Sequence, residues 1–99
     1  MDVWVSLVEV EGGPGSLLEG EGAFVNAVVP ASSATDAEAR LRAAAAELGL
    51  RAVRFQDTQV VPERRLRSGL AKEVCRLAAD AELVRRPQFG TFFSWSDTH

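Results

Sequence analysis

The chain is 99 residues long, with a formal net charge of −3, 46% apolar and 25% charged residues. That size and balance fit one globular domain with one modest core, and exclude a disordered or low-complexity chain. No run of about 18 apolar residues is present, so no membrane span is expected. Cys75 is the single cysteine, so no internal disulfide can form. Met1-Asp2 opens the sequence without a basic stretch and apolar run, so no secretory signal is expected. Together these features point to a cytoplasmic, reducing setting. Arginine outnumbers lysine ten to one and alanine is abundant, a composition expected of a high-GC bacterial genome. The first 38 residues carry seven acids and no Lys or Arg, whereas the remainder carries a balance of +4.

Val3–Val10 reads as a strand, with both side-chain parities mostly apolar, the pattern of a strand covered on both faces. Residues 12–22 form a glycine-rich connection, in which Leu17 and Leu18 are placed to fold back over the core. Ala23–Val29 is a second strand, expected to stop at Pro30 and to pair antiparallel with the first. Thr35 then offers an N-cap, with Glu38 three residues on in the capping-box position. Ala37, Leu41, Ala44 and Leu48 recur at helical spacing, and Gly49 is suited to end that helix.

Arg51–Phe55 alternates as a strand with one wet face. Gln59–Val61 either continues it after a bend at Asp57-Thr58 or pairs separately. A second helix follows, starting at Pro62 or Ser68. Its apolar positions are Leu66, Leu70, Val74, Leu77, Ala81 and Val84, and Pro87 ends it. Gln88–Trp95 reads as a last strand and Ser96–His99 as a frayed tail, leaving residues 1–95 as the single domain.

The expected fold is therefore α+β, a two-layer α/β sandwich of order β-β-α-β-α-β. A four-stranded, mainly antiparallel sheet carries both helices on one face. It is ferredoxin-like in style, although the order of elements departs from that family, and no family motif is present.

The glycine-rich loop does not read as a phosphate site. Glu21 and Gly22 stand where a P-loop needs Lys and Ser/Thr, and the loop leads into a strand. Glu9, Glu11, Glu19 and Glu21 read as a solvated rim rather than a calcium site. Cys75, mid-helix beside Val74, reads as an inert buried thiol. His99 is the lone histidine, which leaves a Ser-His-Asp or Cys-His site and a zinc site without their groups. The acidic balance and the lack of aromatics among the arginines argue against nucleic-acid binding. No cofactor is expected.

All seven aromatic residues fall in expected strands. Alternation prevents them from sharing one face, so apolar surface should emerge away from the helices and be covered by a partner. The leading expectation is a non-catalytic interaction domain, a homodimer or protein binder. One form of it is a partner-neutralising, immunity- or antitoxin-like protein. The alternative is a small dimeric α/β-barrel-type enzyme, or a binder of a small apolar ligand in a cavity. The candidate ligand- or partner-binding residues are Trp4, Asn26, Arg54, Phe92 and Trp95.

Overall fold

A computed structural model describes residues 2–13, 22–61 and 72–94; the side chains of residues 93 and 94 lie outside that description. The elements are β1 (Asp2–Gly12), β2 (Gly22–Ala31), α1 (Ala34–Glu47), β3 (Leu50–Val60), α2 (Lys72–Val84) and β4 (Gln88–Ser94). The four-stranded antiparallel sheet, the two helices and the order β-β-α-β-α-β are those expected, and the chain is an α+β sandwich. The strands lie in the order β3-β1-β2-β4. The start of the second helix, Trp95 and the tail fall outside the described residues.

β1 and β2 face each other from Asp2↔Ala31 to Glu11↔Gly22 without a slip. β2 continues through Pro30 instead of stopping there. A proline lacks a donor, and β4 begins only opposite Val28, so Pro30 sits where no outer strand asks for one. Alternation puts Trp4, Ser6, Val8, Val10, Ala23, Val25, Ala27 and Val29 on one face, and Val5, Leu7, Glu9, Phe24, Asn26 and Val28 on the other.

α1 covers the first face. Its Ala37, Leu41 and Ala45 pack against Val8, Val10, Ala23, Val25, Ala27 and Val29. Small alanines on both surfaces allow close approach, and burying Leu41 contributes ~2 kcal/mol. The N-cap is Ser33 rather than Thr35. Ser33 Oγ accepts the Asp36 amide at 3.1 Å, and the Asp36 carboxylate accepts Ser32 N–H at 3.0 Å and Arg40 Nε at 3.0 Å. The Ser32 amide, with Arg40 behind it, holds the Asp36 carboxyl below its ordinary value. Ser33-x-x-Asp36 and Thr35-x-x-Glu38 have the same spacing, and the earlier pair wins because it starts the helix directly off β2. Gly49 ends the turn in the left-handed region at φ 76°, as expected.

One part of the expected arrangement is corrected: the helices do not share a face. α2 packs its Val74, Leu77 and Ala81 against Val5 and Val28, on the side opposite α1. Each helix makes a helix-on-sheet sandwich, and the two sandwiches share one sheet. The handedness rule applies to α1, because β2 and β3 are parallel with β1 between them. β4 runs antiparallel to β2 and therefore to β3, so the α2 connection is not a parallel crossover and is free to return beneath. The apolar pattern of both parities in β1 is satisfied in this way.

β3 is one continuous strand, bent where expected. From Val5↔Gln59 to Leu7↔Gln56, β3 uses one residue more than β1, and Asp57 takes the left-handed conformation at φ 53°. Ser6, fully buried, faces this bulge. It donates to Gln56 O at 3.2 Å, so the Thr58 hydroxyl, 2.9 Å away, donates to it. β4 has its own slip between the positions facing Val25 and Ala27. There Thr91 donates its amide (2.9 Å) and its hydroxyl (2.7 Å) to Glu73 of α2.

Two outcomes are expected. Ser6→Ala strands the bulge groups and lowers stability by ~1–2 kcal/mol, read as a shift of the urea midpoint at unchanged slope. Glu73 is held below its ordinary value of 4.5 by the Thr91 amide first and the Thr91 hydroxyl second. Its stabilisation is complete above pH 4.5 and is lost as pH falls through the lower folded-state value. Thr91→Val should therefore cost stability at neutral pH and show a shallower loss than the parent on acidification, in midpoints measured along a pH series.

Candidate functional site

The residues singled out from the sequence do not converge on one site. Trp4 is half-buried under α1, with its indole N–H donating to Ala31 O at 3.1 Å. Phe92 lies on the same face, opposite Val25, and stacks on Phe89 with centroids 6.4 Å apart. Both rings pack against the α1-side core. Trp4 and Phe92 thus serve mainly as core. Asn26 and Arg54 point to the other face, opposite Leu7 and Glu9 respectively. Trp95 lies outside the described residues.

The face carrying Asn26 and Arg54 is divided. α2 covers the rows through Val5 and Val28. The remaining rows run across the sheet as Gln56–Leu7–Asn26, Arg54–Glu9–Phe24 and Arg51–Glu11–Gly22, each strand about 4.8 Å from the next. Leu7, Phe24, Asn26 and Glu9 are half-buried, while Arg51 and Arg54 are exposed. Arg51 pairs with Glu11. Two acids of the N-terminal half, Glu9 and Glu11, therefore stand beside two bases of β3. Glu9 and Glu11 were legible in the sequence only as a rim; their partners on β3 come from strand order, which no local pattern encodes.

The α1 side is solid. Val8, Val10, Val25 and Ala27 have no exposure to a water-sized sphere, so no such space reaches them. Arg42 lies over the Phe55 ring at 5.1 Å from its centroid, closing the β3 flank. Concavities among the described residues are open surface grooves. One of about 260 Å³ is lined by Val29, Pro30, Arg40, Ala44, Arg85 and Pro87. Among the described residues, no three His, Cys, Asp or Glu side chains group to hold a metal ion, and no helix is long and apolar enough to cross a membrane.

Cys75 is exposed, which corrects its reading as a buried thiol. Val74, Leu77 and Ala81 take the sheet side of α2, and Cys75 is turned about 100° from Val74 toward the outside. It lines an open groove with Val3, Val61 and Ala78. A thiol-specific disulfide reagent should modify Cys75 in the native protein within a few-fold of its rate in urea. Protection by orders of magnitude would place the thiol in the core after all.

Comparison with known proteins finds no matching family model, and no curated protein or solved structure matches significantly.

Proposed function

We propose that the chain is a non-catalytic protein-interaction domain that associates with a second copy of itself through the rows of the sheet outside α2. The observation that carries this reading is the charge pattern of those rows. β1 offers Glu9 and Glu11, and the adjacent β3 offers Arg54 and Arg51 at the same heights. A two-fold axis running parallel to the strands between β1 and β3 keeps each height and exchanges the strands. Glu9 then meets the partner's Arg54, and Glu11 the partner's Arg51. Leu7, half-buried, lies beside this charged block, in the next row along β1. Like-charge contacts in any other alignment penalise it, so the pattern selects its register.

A partner-neutralising role would use the same surface with a foreign basic protein in place of the second copy. The arginines beside Glu9 and Glu11 weigh against it. A cavity enzyme is not favoured, because the space under α1 is filled.

Light scattering at tens of micromolar should give a dimer. Arg54→Glu should weaken it at least tenfold, about 1.4 kcal/mol, and Glu9→Arg added to it should restore most of the loss. A monomer at every concentration, or a dimer indifferent to both changes, would falsify this reading.

A further inference from the structure

The two helices end differently, and the difference carries an inference separate from the face. Each runs into a strand through a residue in the left-handed region. After α1 that residue is Gly49, at φ 76°. After α2 it is Arg85, at φ 59°, whose amide closes the last turn on Ala81 O at 2.8 Å. Glycine takes this conformation freely, whereas the Cβ of an arginine crowds the following carbonyl oxygen. Arg86 precedes Pro87, and a residue before proline is pushed toward extended backbone. Both arginines are exposed, and their adjacent like charges also favour a straighter path. The connection 85–87 is thus a short turn held against the preferences of two of its three residues. What it holds in place is β4, which pairs with β2 and packs on α2, where Glu73 accepts the amide and the hydroxyl of Thr91.

We propose that the connection 85–87 is a strained hinge through which two copies of the chain exchange β4. In the exchanged pair each β4 keeps its register with β2, its slip, and the bonds from Thr91 to Glu73, but β2 and Glu73 belong to the other copy. Whatever lies against β4 in one form lies against it in the other, so these contacts favour neither. The hinge is what differs: it opens, and Arg85 leaves the left-handed region in both copies. Joining two chains costs entropy, so the closed chain holds at low concentration and the exchanged pair gains as concentration rises. The exchange does not depend on the contact proposed for the sheet face.

The test sets a thiol on each of two facing positions, Val28→Cys and Gln88→Cys, with Cys75→Ser, in the Arg54→Glu background that weakens the face contact. The protein is refolded from urea at low and at high concentration, oxidised, and run on a gel without reductant. Peptide mapping confirms that positions 28 and 88 are joined. A bridge within one chain gives a monomer, and a bridge between chains gives a covalent dimer. The dimer should rise steeply with concentration. Arg85→Gly should lower the dimerisation constant about tenfold, because glycine relaxes the closed turn. Bridged monomer alone at both concentrations overturns the exchange, as does a dimer that Arg85→Gly leaves unchanged. If the paired thiols do not fold, size-exclusion chromatography of the refolded Arg54→Glu protein, with and without Arg85→Gly, makes the same comparison. A monomer at high concentration, or a dimer indifferent to Arg85→Gly, overturns it there too.

Discussion

The ladder between β1 and β2 runs through ten facing pairs without a slip, and both of its faces are used. α1 closes one face over Val8 and Val25; α2 closes the other over Val5 and Val28. Sliding the pairing by one residue would send Ser6 and Ala27 to the wrong helix and lift two valine rows out of their contacts. The central pair therefore has no freedom. Irregularity is pushed outward into register slips of the outer strands, and one slip in each is satisfied by a side chain from within. Ser6 serves β3 and Glu73 serves β4.

Element identity was legible wherever one local period dominated. Val3–Val10 announced a strand covered twice, and α2 covering the second face is what that pattern required. The bend at Asp57-Thr58 was also legible, because Asp tolerates the left-handed conformation. The cap of α1 was displaced by two residues because two Ser/Thr-x-x-acid patterns overlap, and only the strand end chooses between them. The side of the sheet taken by α2 was not legible. It depends on β4 running antiparallel to β3, a relation between segments far apart in the chain.

The candidate surface divides along the same line. Asn26 and Arg54 stand out in the sequence as polar residues within strands, and strand register puts both on the face away from α1. Trp4 and Phe92 were drawn in by the same rule of size and fell under α1, where their bulk fills the core. Pairing Glu9 with Arg54, and Glu11 with Arg51, spans 45 and 40 positions of sequence and exists only once β3 lies beside β1. Cys75 reads as buried from the sequence because its neighbour Val74 is apolar; on a helix, adjacency in sequence is not adjacency in space.

The strand order β3-β1-β2-β4 also sets a direction of assembly. The sheet can be built from its middle outward in the order in which the chain is made. The β1–β2 hairpin is local, β3 adds to its free β1 side, and β4 adds last on the β2 side. No strand has to be inserted between two that already pair, so a nascent chain emerging from a ribosome meets an open edge at every stage. Glu73 precedes Thr91, so the group that will receive the final strand is synthesised before the strand arrives.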